Sequence, residues 1–236
     1  MNHGPGRMRL NAPQLRTAAM LAIGIAWSTS LLCGPIHDAA RKGDQATVVD
    51  LLKQNPDLVS SRDKMGNTPL HLAALHDQPA VAALLLANGA DVNAQNTVAR
   101  ADSDGIKRAG ETPLTLALLS YEHKEMVELL LTHGADVNVM LSGGTTPLSR
   151  AIDRDLPYDV ELLLANGADP NAKVYNWATP VHFAVWHGRT KLLELLLNYG
   201  ADPNAKDRSG RTPLWYAEQN SYDKGIALLR AHGGHK

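Results

Sequence analysis

Apolar and polar positions recur along this chain in a fixed order. A short apolar run such as Pro69-Leu70-His71-Leu72-Ala73-Ala74 or Pro180-Val181-His182-Phe183-Ala184-Val185 is followed, after a polar break, by a leucine-rich run such as Leu192 to Leu197. Leu192, Leu195 and Leu196 stand at helical spacing, which predicts a helix with one apolar face. The shorter runs open on Thr-Pro. The threonine hydroxyl suits a helix N-cap, and proline suits the first helical position, where its missing donor would be unpaired anyway. Small residues such as Ala73, Ala74, Ala117 and Ala184 let this first helix lie close to a neighbour. Gly200 is placed to end the second helix in the left-handed conformation that glycine tolerates, and Asp202-Pro203-Asn204 leads into an extended turn.

The same words return at a constant interval. Thr-Pro begins at Thr68, Thr112, Thr146, Thr179 and Thr212, and Gly-Ala-Asp-(Val/Pro)-Asn begins at Gly89, Gly134, Gly167 and Gly200, the last copies of each being 33 residues apart. A period of this size marks a supersecondary unit that cannot cover its apolar face alone and stacks on its neighbours. Thr68-Pro-Leu-His-Leu-Ala-Ala74 and Gly89-Ala-Asp-Val-Asn93 resemble the ankyrin repeat, whose period is the same. The resemblance covers nearly everything from Pro35 to Gly233. It implies an all-α solenoid of about six helix-turn-helix repeats with β-turn fingers, at approximately 34–62, 63–95, 107–140, 141–173, 174–206 and 207–236. A scaffold of this kind hosts many unrelated roles.

Residues 1–33 are different. Arg7, Arg9 and Arg16 precede a stretch from Thr17 to Gly34 without charge, in which Ala18 to Trp27 is apolar and Ser28-Thr29-Ser30 is small and polar. This order fits a secretory signal, and Met8 is a second candidate start. A retained membrane anchor, or an apolar cover for the first repeat, is the alternative. Cys33 is the single cysteine, so no intrachain disulfide can form. Its place after the apolar run suggests lipoprotein acylation, although Ser30 and Leu32 fit that signal poorly. Gly34-Pro35 replaces Thr-Pro in the first repeat and Glu218 replaces a small residue in the last, as suits terminal repeats that face water on one side.

The period breaks once. Between Asn93 and Thr112 the chain carries eleven extra residues, read as a finger insertion at 96–106. Asp102, Asp104, Gly105 and Glu111 match later positions of a calcium loop, but Arg100 stands where the first carboxylate belongs. A solvated loop is the preferred reading.

Catalytic signatures are missing: the sequence has no phosphate-binding glycine loop, His-Glu-x-x-His or nucleophile elbow. His71 and His182 occupy the Thr-Pro-x-His position, which the resemblance assigns to structure. His76, His123, His133 and His187 share no helical face, short of the converging ligands a zinc site needs. With 23 basic and 24 acidic residues, no basic stripe points to nucleic acid. The expectation is a non-enzymatic module without cofactor or metal, binding a protein partner as a monomer. It would be periplasmic or secreted, with a membrane-anchored or cytosolic scaffold as the alternative. The expected surface is the concave helix face with the finger tips: Leu75, His76, Leu119, Tyr121, Asp153, Arg154, Tyr175, Trp177, Trp186 and His187. Trp177 takes the usual turn-glycine position. The aromatics of the fifth repeat have two open roles, as partner anchors or as packing against Phe183 and the next repeat.

Overall fold

The computed structural model describes residues 34–97, 100–101, 107–119 and 123–235. The apolar N-terminal segment, Cys33, Tyr121 and the insertion carboxylates Asp102 and Asp104 lie outside them. The described chain is an all-α stack of six helix pairs. These are α1 (Pro35–Lys42) with α2 (Gln45–Gln54), α3 (Pro69–Leu75) with α4 (Pro79–Ala87), and α5 (Pro113–Ala117) with α6 (Lys124–Thr132). They continue as α7 (Pro147–Asp153) with α8 (Pro157–Ala165), α9 (Pro180–Trp186) with α10 (Thr190–Asn198), and α11 (Pro213–Gln219) with α12 (Asp223–Ala231). First helices stack on first helices and second helices on second helices, so one core runs the length of the solenoid.

Thr-Pro works as its chemistry requires. Thr112 and Thr146 accept from the backbone N–H groups of Thr115 and Ser149, and those two hydroxyls accept from the cap N–H groups in return. In α3 and α9 a histidine closes the box, with Nδ1 accepting from the N–H of Thr68 or Thr179 at 3.1 Å. The buried face of α10 is Leu192, Leu193, Leu196 and Leu197, while Leu195 is only half-buried. The apolar face is thus centred slightly differently from the sequence reading, because two leucine pairs one turn apart both point inward.

Two ladders tie the repeats together. Asn93 accepts from the Asp136 N–H at 2.7 Å and donates to the Gly134 carbonyl at 3.1 Å. Asn138 and Asn171 repeat this toward Asp169 with Gly167 and Asp202 with Gly200, and Asn204 continues it toward His235 and Gly233. The second ladder uses the histidine at the third position of three first helices. Nε2 of His37, His71 and His182 meets the carbonyls of Asn67, Glu111 and Arg211 in the following finger, at 3.1, 3.0 and 3.2 Å. Because His71 Nδ1 accepts from an N–H, Nε2 carries the proton and donates. Burial pushes the His71 pKa down to about 4 and lowers His182 as well, so both rings stay neutral.

The insertion is not a plain loop. Arg100–Ala101 (β1) and Lys107–Arg108 (β2) pair antiparallel, with Arg100 opposite Arg108 and Ala101 opposite Lys107. Below this hairpin, Asn96 N–H donates to the Glu111 carbonyl and Gly110 N–H to the Asn96 carbonyl. The finger of the second repeat makes the same two bonds between Asp63 and Asn67 and between Gly66 and Asp63, so the extra residues are spliced into the finger tip alone.

Candidate functional site

Every finger ends on this pair of backbone bonds, and the second donor sits in the left-handed region. It is a glycine in four fingers: Gly66, Gly110, Gly144 and Gly210, with φ between 68° and 82°. In the fifth finger it is Trp177, at φ 62°, whose N–H donates to the Val174 carbonyl at 2.9 Å. A bulky residue there costs about 1–2 kcal/mol relative to glycine. The fold imposes this conformation, and the sequence fills it with a ring that stays 60% exposed. Tyr175, in the same single turn of 3-10 helix, is 63% exposed. Lys173 holds its ammonium 5.0 Å from the centre of the Trp177 ring, which fits a cation–aromatic contact. On the preceding finger Met140 is 52% exposed, and a Cβ at Gly144 would lie 3.9 Å from the Tyr175 nitrogen, so the two tips are adjacent.

Trp186 behaves differently. It is half-buried, with its ring 5.1 Å from Phe183 and edge-on to Tyr216 of the sixth repeat at 5.3 Å. Of the two roles open to the fifth-repeat aromatics, Trp186 takes the packing one, while Tyr175 and Trp177 face solvent. Tyr216 donates to Asp207 at 2.5 Å. Burial alone would raise the Asp207 carboxyl, but the bonds from Tyr216 and from the Arg211 and Ser209 N–H groups together hold it below its ordinary value.

The remaining expected positions lie on the row where the first helices end. Leu75 and Leu119 are half-buried, and His76, Asp153, Arg154 and His187 are exposed. This row is partly stitched to itself. His187 Nε2 is 3.3 Å from the Asp153 carboxylate of the previous repeat, and Arg154 donates to the Leu119 carbonyl at 3.1 Å. Tyr121 lies outside the described residues. Sequence reasoning missed Trp215, which stacks on Arg211 with the guanidinium carbon 4.4 Å from the ring centre. The available signal was Trp215 standing in the Thr-Pro-x-His position.

Glu111, offered above as a calcium ligand, is buried and occupied. Both its oxygens accept from Arg150, at 2.7 and 2.8 Å, and each side chain is only 6% exposed. Among the described residues no group of three or more His, Cys, Asp or Glu could hold a metal ion. No helix among them is long and apolar enough to cross a membrane.

Comparison with known proteins agrees with this geometry. The family model for ankyrin repeats in three copies matches residues 28–96 and 98–174, and the model for ankyrin repeats in many copies matches 163–217. The chain is similar to the serine/threonine-protein kinase VIK of Arabidopsis thaliana, 42% identical over 95 residues, covering 40% of this chain and 19% of the kinase. It is also similar to inversin of Gallus gallus, 36% identical over 122 residues, covering 52% of this chain and 10% of inversin. The likeness therefore reaches only a minor part of those proteins. The crystal structure of an ankyrin repeat domain from Acinetobacter baumannii AYE superposes with a TM-score of 0.75 at 29% identity, covering 85% of this chain and 98% of that one. Ankyrin repeats are in general non-enzymatic protein–protein interaction modules. With stacked helix pairs, asparagine and histidine ladders and family matches across most of its length, this chain belongs to the ankyrin-repeat proteins.

Proposed function

We propose that this chain is a non-catalytic scaffold that binds a protein partner through its finger tips and the row where the first helices end. Its anchors are Tyr175 and Trp177. The observation that carries the reading is an exposed tryptophan at a backbone position that four other fingers give to glycine. Rings of this kind bury a large area while freezing few rotors, and a rigid stack adds little ordering cost on binding. The uncharged segment from Thr17 to Gly34 supports export to the periplasm or cell exterior as the setting, with a membrane-anchored or cytosolic scaffold as the alternative.

The test is affinity capture from fractionated native cells with wild type and with a Tyr175→Ala, Trp177→Ala double variant. A partner retained by wild type and lost by a variant of unchanged circular dichroism supports the reading, whereas identical captures move the site elsewhere. Mass spectrometry of the bait's first residues decides the compartment. A start near Thr29 or Leu31 means export, and a retained Met1 or Met8 replaces it with an anchored or internal protein.

A further inference from the structure

The exposed rings do not stand alone, and the charges around them are mostly positive. Lys173 and Tyr175 flank Trp177 on the fifth finger, and Lys206, Arg208 and Arg211 are exposed on the sixth. The acidic residue of these two tips, Asp207, has its carboxylate taken up by the Ser209 and Arg211 N–H groups and the Tyr216 hydroxyl. Lys173, Lys206 and Arg208 make no ion pair with a described acidic side chain. Several arginines elsewhere are engaged by acidic partners or carbonyls. Arg41 pairs with Asp38, Arg189 with Asp155 and Arg230 with Glu218. Arg62, beside the finger of the second repeat, spends its guanidinium on the Gly66 and Gln95 carbonyls. The fifth and sixth fingers thus bring two cation-bearing rings, Trp177 under Lys173 and, at the start of α11, Trp215 under Arg211, beside four cations and one carboxylate.

We infer that the occupant of the fifth and sixth finger tips is an acidic protein segment, carrying carboxylates on either side of an apolar or aromatic side chain. The inference rests on the protein-binding reading and names the chemistry of the partner. The apolar side chain covers Trp177 and Tyr175, and the carboxylates meet Lys173, Lys206 and Arg208. Such a pairing speeds encounter and excludes basic segments more than it adds affinity. An exposed charge pair also weakens as salt is raised.

The probe is a displayed library of random twelve-residue peptides, selected on the full chain and followed by anisotropy titration of the enriched peptide. The expected result is enrichment of Asp and Glu around an aromatic or leucine. Affinity should fall about tenfold or more in the Lys173→Glu, Arg208→Glu double variant, and in the wild type it should fall as salt rises. Trp177→Gly supplies the second variant. It returns the residue that the backbone prefers, so the chain stays folded while peptide binding is lost. Enrichment of neutral or basic peptides, no enrichment, or equal binding by Trp177→Gly overturns the inference. So does tighter binding to vesicles of anionic lipid or to a single-stranded oligonucleotide. A native partner that still depends on Tyr175 and Trp177 but ignores the charge reversal would leave the protein-binding reading standing and remove only the acidic one.

Discussion

The junctions on either side of the third repeat occupy equivalent places in the stack and are held by different chemistry. On one side the neutral His71 ring donates to the main-chain carbonyl of Glu111. On the other, the helix position of His71 is taken by Thr115, which turns back to cap its own helix and cannot reach the next finger. The link is made instead by Arg150, which grips the Glu111 carboxylate and the Thr115 carbonyl. Glu111 therefore serves one junction with its backbone and the other with its side chain. A solenoid needs each junction bridged, and the bridge can be changed where the repeat geometry is kept.

The largest effect should come from breaking the ionic side. Arg150→Ala leaves the Glu111 carboxylate buried and unpaired, and should cost about 3–5 kcal/mol in chemical denaturation. Loss below ~1 kcal/mol would mean that water replaces the guanidinium. The histidine side should be the pH-sensitive one. Because the folded His71 pKa lies near 4 and the unfolded value near 6.5, the unfolded chain binds a proton that the folded chain refuses. Stability is then full above about pH 6.5 and falls as the pH drops toward 4, by on the order of 3 kcal/mol. Melting curves across this range should show the drop in wild type and a shallower one in His71→Thr, which installs the chemistry of the third repeat. An equal slope in both would assign the acid sensitivity to other groups.

Asn138→Ala removes a link of the outer ladder without touching either bridge. It should cost about 1–2 kcal/mol, since it leaves the Asp169 N–H and Gly167 carbonyl to solvent. A larger loss would show that the ladder, and not the finger bridges, carries the junctions. Trp177→Gly should change stability by under about 1 kcal/mol, because relief of the left-handed strain offsets the greater freedom of an unfolded glycine. A melting temperature several degrees lower would mark the ring as part of the fold.

Much of the stack could be read along the chain because its causes are local. Thr-Pro sets a helix start within four residues, and the leucine runs announce the second helices. The asparagine ladder could not be read so easily. Asn138 recurs visibly, but its partners lie 29 and 31 residues further on. Glu111 misled for the same reason: its local spacing suited a metal loop, while its true partner is 39 residues away. Trp177 and Trp186 looked alike because a sequence gives residue type without direction. Trp186 has Tyr216 across the next junction to lean on, and Trp177 sits on a turn that turns it outward.

The splice at Asn96 and Gly110 has a practical side. The two backbone bonds that close a finger are made below the tip, and they are the same whether two residues or thirteen lie between them. Length at that point is insulated from the stacking of the helices, since loop-closure cost grows only slowly with length. The finger works as a socket with a fixed collar. A foreign segment grafted between Asp63 and Gly66, or between Asp207 and Gly210, would inherit a rigid mount without re-engineering the helices beneath it.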